Sequence, residues 1–190
     1  MGLLTRQQID EMGFAHVGAN SRLSDKASYY NCANIVIGDN VRIDDFCVLS
    51  AGAGGIEIGR YIHVAVYTSL IGAGKILLDD FCNISSKVSI YSSNDDYSGA
   101  SMTNPMVPEE FTNVSHADVT IGRHAIVGSG SVILPGIVLE EGVAIGALSL
   151  VTKNCEAFGI YSGVPAKRIK ERKKDFLELE KMLSQKINDN

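Results

Sequence analysis

The sequence predicts a parallel β-helix of stacked triangular coils, and three observations carry that prediction. Aliphatic residues recur at every sixth position through most of the chain. A second position, four residues further on, is small or apolar each time. Two inward positions in six residues suit a short flat strand and a corner, and they do not suit a helix of 3.6 residues per turn.

Taken in order, Thr5-Arg-Gln-Gln8 has capping-box spacing before Ile9 and Met12, and Gly13 can stop the turn. Residues 1–16 therefore read as a short N-terminal helical region. A weak start to the repeat follows at Val17 and Leu23, then clear blocks at Ile37, Ile43 and Leu49, at Ile58, Val64 and Leu70, and at Leu78, Ile84 and Ile90. The longest run is unbroken: Ile121, Val127, Ile133, Leu139, Ile145 and Val151. The companion positions are Val41, Cys47, Ile62, Thr68, Cys82, Val88, Ala125, Ser131, Ile137, Val143, Ser149 and Cys155. Three strands close one coil, and stability accumulates as coils stack. Gly beside the aliphatic position relieves crowding near the corner.

The phase breaks at Ala51–Gly55 and near Gly72–Leu77, which read as glycine-rich bulged corners. A larger break, 91–118, contains Pro105 and Pro108 and reads as an ordered functional arm inserted into the β-helix of 17–162. From 163 to 190 a tail leads into an amphipathic helix, with Ile169, Phe176, Leu179, Leu183 and Ile187 near one face. The whole of 1–190 is expected to be one domain.

Bulk properties exclude several roles. A net charge of −5 gives no pull toward nucleic acid or an anionic membrane. The opening Met1-Gly-Leu-Leu-Thr-Arg lacks a secretory signal, and no apolar run approaches a membrane span, so a cytoplasmic location is expected. The four cysteines form no C-x-x-C pair, and three of them occupy inward repeat positions as small hydrophobes. The spacings around His63, His116 and His124 do not suggest a zinc site, so no metal is expected.

The closing coils, Ile121-Gly-Arg-His-Ala-Ile-Val-Gly-Ser-Gly-Ser-Val-Ile-Leu-Pro-Gly and Ile145-Gly-Ala, followed by Gly163-Val-Pro-Ala-Lys-Arg-Ile, resemble the hexapeptide-repeat acyltransferases. That resemblance covers nearly the whole chain. It implies a left-handed β-helix, an exception to the usual right-handed crossover, trimeric assembly, and acetyl-CoA as co-substrate in a groove along the last coils. Gly128, Gly146 and Ala147 would leave room for the pantetheine arm. Lys153, Lys167, Arg168 and Lys170 would meet the CoA phosphates, with Pro165 shaping the turn over the adenine.

Sugar and antibiotic O-acetyltransferases of this superfamily carry a loop histidine, because an alcohol needs a general base. Here the comparable segment is Ser93-Asn94-Asp95-Asp96. Together with Ile43-Asp-Asp-Phe-Cys, Asn83-Ile-Ser-Ser and Asn94-Asp-Asp-Tyr-Ser-Gly, it resembles N-acetyltransferases of nucleotide-linked 4-amino-4,6-dideoxysugars. The resemblance implies that Asp95 or Asp96, with Ser85 or Ser86, holds the sugar amine. Asn83, Asn94 and Tyr97 are expected nearby, and His63 is a second candidate to accept the proton. For the nucleotide, dTDP is the first expectation and GDP the second, with the product destined for surface glycan. O-acetylation with His63 as base, or a non-catalytic β-helix used for assembly, would be the alternatives.

Overall fold

A computed structural model describes residues 2–188. Three sheets, of six, eight and six strands, wrap the prism. The first face stacks His16–Val17, Ile35–Ile37, Ile56–Ile58, Ile76–Leu78, Val119–Ile121 and Val138–Leu139, all parallel. The second stacks Arg22–Leu23, Arg42–Ile43, His63–Val64, Asn83–Ile84, Ile126–Val127, Ala144–Ile145 and Gly159–Ser162. The third runs Ser28–Tyr30, Val48–Ala51, Ser69–Gly72, Ser89–Tyr91, Val132–Ile133 and Leu150–Val151. Each coil thus bonds chiefly to its neighbours.

The core is the predicted one. Every aliphatic repeat residue from Val17 to Val151 is buried, as are all twelve companion positions. Burying one such side chain contributes about 1.5–3 kcal/mol, so the stack is held mainly by this apolar column. Cys47, Cys82 and Cys155 belong to it, and burial pushes their thiols up to about 11, about 12 and about 11.

Where the second residue of a hexamer is glycine, as at Gly38, Gly59, Gly122, Gly128 and Gly146, the reason is not corner crowding. A Cβ on Gly38 would lie 2.5 Å from the Gly59 carbonyl oxygen, and one on Gly128 would lie 2.5 Å from the Ala147 nitrogen. Adjacent coils approach too closely there for a side chain.

Two corners turn on a left-handed residue. At the first-to-second corner these include Asn40, Tyr61, Phe81, His124 and Phe158, with φ between 56° and 64°. Bulky residues are unfavourable in this region. Here their rings support one another along the axis: Tyr61 stacks on Phe81 at 5.1 Å and Phe81 on His124 at 4.9 Å.

The N-terminal helix α1 (Arg6–Glu11) has its capping box, with Thr5 and Gln8 exchanging bonds, and buries Ile9. The tail departs from expectation. Ile169 is exposed in a strand, Lys167–Glu171, that runs antiparallel along Gly159–Ser162, and α2 begins only at Phe176 and extends to Asn188. The helix is clamped on the ring ladder. Phe176 packs on His124, Glu180 takes His124 Nε2 at 2.6 Å and pairs with Arg123, and Arg172 caps the His124 and Gly142 carbonyls.

Candidate active site

The insertion rises from the third-to-first corner and is ordered at its base. Ser93–Asn94 pairs antiparallel with Ser115–His116. Ser92 Oγ donates to the Gly74 carbonyl, Ser93 Oγ accepts from Ala73 N, and Asp118 accepts from Lys75 N, so the arm is fastened to the glycine-rich bulge of the coil beneath. Ser92 and Ala117 approach the backbone of Gly72 and Gly74 closely, which keeps the bulge small there.

Beneath the arm lies a cavity of about 790 Å³, whose lining includes Ile71, Asp95, Pro105, Val107, Val114 and His116. The two aspartates part company here. Asp95 is exposed and lines the cavity. Asp96 closes a turn, accepting from Ser98 N at 2.8 Å and Ser101 N at 3.1 Å. Those hydrogen bonds, the Ser98 side chain foremost, hold its carboxyl below the ordinary range. Asn94 donates to the Asp95 carbonyl, and Tyr97 stands fully out at the tip. His116 is exposed but shares the cavity with Asp95, its Nδ1 2.8 Å from Ser93 Oγ. Only the pairing of Ser93 with His116 reveals this, and the sequence carries no periodic sign of it.

Ser85 and Ser86 lie at the second-to-third corner, both half-buried. Strand alternation places Asn83 and Ser85 outward on either side of buried Ile84. Asn83 is the register partner of His63, and His63 of Arg42. The His63 Nε2 lies 2.8 Å from Asp44 Oδ2, while Arg42 Nε donates to the other oxygen at 2.7 Å. Asp44 is itself buried. Burial acts to raise its pKa, but the bonds from His63 and Arg42 outweigh it and the net shift is downward.

Ser85 belongs to an axial column. Backbone N–H groups of Ser24, Asp44, Ala65, Ser85, Gly128 and Gly146 each donate to the coil above, in unbroken succession. Toward the C-terminus the column is glycine, at Gly128 and Gly146; toward the N-terminus it passes through Ala65 to the carboxylate of Asp44 and then Ser24. Ser85 and Asp95, by contrast, stand at opposite ends of the third face, with the strand Ser89–Tyr91 crossing between them. The chain does not bring these two candidates together on its own.

The basic tail is less concentrated than its sequence suggested. Lys153 follows the strand that ends at Val151, at the third-to-first corner, whereas Lys167, Arg168 and Lys170 lie along the second face. Arg168 is engaged by Glu156 at 3.1 Å and Glu171 at 2.5 Å. Lys167 and Lys170 are exposed, and Pro165, after a cis bond, lies in an exposed turn tied to Leu150 through the Gly163 and Ala166 backbone. Ala147 is likewise exposed beside Gly146. His124 is covered by α2 and has a structural role. Among the described residues no group of three His, Cys, Asp or Glu side chains is placed to hold a metal ion. No helix among them is long and apolar enough to cross a membrane.

No family model matches the sequence. Individual proteins do. The chain is 58% identical over 191 residues to a dTDP-4-amino-4,6-dideoxy-D-glucose acyltransferase of Escherichia coli, covering 100% of both. Crystal structures of AntD, an N-acyltransferase from Bacillus cereus, superpose with a TM-score of 0.94 at 42% identity in a complex with dTDP and 3-hydroxybutyryl-CoA, spanning 99% of this chain and 100% of that one. A chloramphenicol acetyltransferase of Morganella morganii is 33% identical over 130 residues, 63% of this chain and 60% of its own. Fold, length and similarity agree: this chain belongs to the dTDP-4-amino-4,6-dideoxy-D-glucose acyltransferase family, hexapeptide-repeat N-acyltransferases of the left-handed β-helix.

Proposed function

We propose that the protein transfers an acetyl group from acetyl-CoA to the 4-amino group of dTDP-4-amino-4,6-dideoxyglucose. The observation that carries this is the full-length 58% identity, together with an acidic arm that has Asp95 in the cavity where an O-acyltransferase would have its histidine. AntD supports the substrate class, since its solved forms include a complex with dTDP-4-amino-4,6-dideoxyglucose and coenzyme A in a variant of one serine, and others carry variants of one aspartate. Asp95 and Ser85 are the corresponding side chains proposed here.

The amine reaches the site largely as ammonium, so a carboxylate both attracts it and orients it. Once one proton has left, the nitrogen attacks the thioester carbonyl carbon. The C–S bond then breaks, the amide forms, and the departing thiolate takes the second proton to give CoA. A backbone N–H beside the carbonyl stabilises the oxyanion by about 3 kcal/mol in well-studied cases. Gly128, Gly146 and Ala147 face the pantetheine, and Lys153, Lys167, Arg168, Lys170 and Pro165 the nucleotide end of CoA. Asn83, Asn94 and Tyr97 complete the sugar site.

Because Ser85 and Asp95 flank a whole face of one prism, a shared sugar amine requires two chains. The resemblance to hexapeptide-repeat acyltransferases makes that assembly a homotrimer, with Ser85 of one subunit facing Asp95 of the next. The enzyme works in the cytoplasm, on a sugar destined for surface glycan.

Thiol release from acetyl-CoA tests the reading against dTDP-4-amino-4,6-dideoxyglucose, a GDP-4-amino-4,6-dideoxysugar, a UDP-amino sugar and a simple galactoside. Turnover confined to the dTDP sugar is expected. Turnover of the galactoside alone would instead mean O-acylation, with His63 as base and Asp44 holding its ring. Preference for a longer acyl-CoA would correct the acyl group.

A further inference from the structure

Resting on that functional reading, we infer that His116 is a specificity-determining residue: its Nε2–H donates to the 3-hydroxyl of the sugar, next to the amine that Asp95 holds. A short hydrogen-bond chain at the base of the arm sets the direction of that donor. Ser93 and His116 are register partners in the antiparallel pair. Ser93 Oγ takes the Ala73 N–H at 2.7 Å and lies 2.8 Å from His116 Nδ1. A serine hydroxyl has one proton to give. An amide N–H can only donate, so the Ser93 proton goes to Nδ1, and the neutral ring carries its own proton at Nε2. A chain that begins at a backbone donor thus ends in a donor.

His116 and Asp95 line one cavity. Among the described residues, neither the Asp95 carboxylate nor His116 Nε2 has a hydrogen-bond partner. The two groups therefore face the cavity as an acceptor and a donor. An ammonium has only protons to offer, so it pairs with the carboxylate and not with the imidazole N–H. Two groups flank the 4-amine of this sugar: the 3-hydroxyl on one side and the carbon bearing the 6-methyl on the other. Of these, only the hydroxyl oxygen accepts a hydrogen bond. Ile71, Val107 and Val114 in the same lining suit the methyl.

Other polar side chains of the cavity suit the task less well. Thr112 gives its proton to the Glu109 carbonyl at 3.1 Å, and Asn104 accepts from Met106 N at 3.0 Å. Asn113 also lines the cavity, but its amide can present either oxygen or nitrogen and so does not tell an acceptor from a donor. The direction of His116 is fixed from the backbone outward. A site that commits a donor in this way rejects a sugar lacking the matching oxygen, because the donor loses water and gains no partner.

Steady-state kinetics with acetyl-CoA on two sugars test this: dTDP-4-amino-4,6-dideoxyglucose and its 3-deoxy analogue. Wild type should favour the hydroxylated sugar by roughly tenfold or more in kcat/KM. His116→Phe keeps a flat ring and loses both nitrogens. It should slow the hydroxylated sugar by about that factor and leave the 3-deoxy sugar nearly unchanged, so that the preference disappears. His116→Gln places an amide N–H where Nε2 stood and should recover most of the preference, whereas the shorter His116→Asn should not. His116 is exposed, so these variants leave the core untouched. A His116→Phe enzyme that slows both sugars alike marks a loosened arm and overturns the assignment. So does a wild type that turns over both sugars equally, or a preference that survives in His116→Phe; each leaves the activity standing. A wild type that turns over neither sugar removes the functional reading and the role of His116 with it.

Discussion

Gly128→Ala separates a glycine kept for packing from one kept for a ligand. Gly128 does not have a left-handed φ, so alanine meets no backbone penalty; what it meets is the next coil. The new Cβ would lie 2.5 Å from Ala147 N, 2.8 Å from the Gly146 carbonyl carbon and 2.8 Å from the Ile145 oxygen. All three are backbone atoms, held by Gly128 N–H to Ile145 O at 2.8 Å and Leu148 N–H to Ser129 O at 2.9 Å. Forcing a methyl into such a contact costs about 1–3 kcal/mol. A chain of this length loses about 2–4 °C per kcal/mol, so Tm should fall by about 2–12 °C. At Gly146 the nearest atoms are the Ser162 hydroxyl at 2.7 Å, which can rotate, and the Ser162 Cβ at 2.9 Å, while the nearest backbone atom is 3.5 Å away. Gly146→Ala should therefore melt closer to wild type while raising the KM for acetyl-CoA. Thermal unfolding at one fixed protein concentration, with KM measured on the same preparations, reads both. A Gly128→Ala protein melting within a degree of wild type would refute the close-approach argument.

Asp95→Asn should lower kcat/KM for the amino sugar by about 10- to 100-fold, since a charge-assisted hydrogen bond contributes about 1.5–3 kcal/mol. Asp96→Asn should leave it within a few-fold, because the asparagine oxygen can still accept from Ser98 N and only the longer bond from Ser101 N to the second oxygen is lost. Steady-state kinetics on the pair decides which aspartate the arm presents. Ser85→Ala should lose activity while Ser86→Ala keeps most of it, as only Ser85 alternates outward with Asn83; equal effects would place the amine at the corner tip. Asp44 has a folded pKa below its ordinary value. Its stabilisation is therefore complete above the ordinary aspartate range near pH 4 and disappears as pH falls through the depressed value. Urea unfolding between about pH 5 and 3 should show a smaller loss of stability for Asp44→Asn than for wild type.

The inward half of the structure was legible because a prism core admits a narrow set of side chains at two positions in six. Ile84, Cys82 and Val88 announce themselves by spacing alone. The corner residues do not. Phe81 and His124 occupy a backbone region that sequence rules reserve for Gly and Asn, and what permits them is a ring ladder between coils about 20 and 40 residues apart. The tail strand was invisible for a related reason: all of Lys167–Glu171 is exposed, so no apolar alternation marks it, and Ile169 read as helical. The pairs Asp95-Asp96 and Ser85-Ser86 stand out by local motif, but the separation of Asp95 from Ser85 across the third face depends on where the prism turns. His116 and the Asp44–His63 contact depend on pairings 23 and 19 residues distant.

The same constraint that makes the core readable explains where specificity is written. Each coil must repeat the inward residues, so evolution can vary only the outward ones, and those stack in straight rows along the axis. Row identity then changes stepwise with coil number: Ser24, Asp44, Ala65, Ser85, Gly128 and Gly146 share one backbone ladder yet differ in charge, size and polarity. An extended ligand laid along such a row meets a new chemical environment every coil. Two extended co-substrates, each joining a small reacting group to a long phosphorylated tail, suit this arrangement when their reacting ends meet at one coil and their tails run in opposite directions. The row runs from Asp44 through Ala65 and Ser85 to Gly128 and Gly146, so charge, size and polarity change from coil to coil while the backbone ladder stays the same.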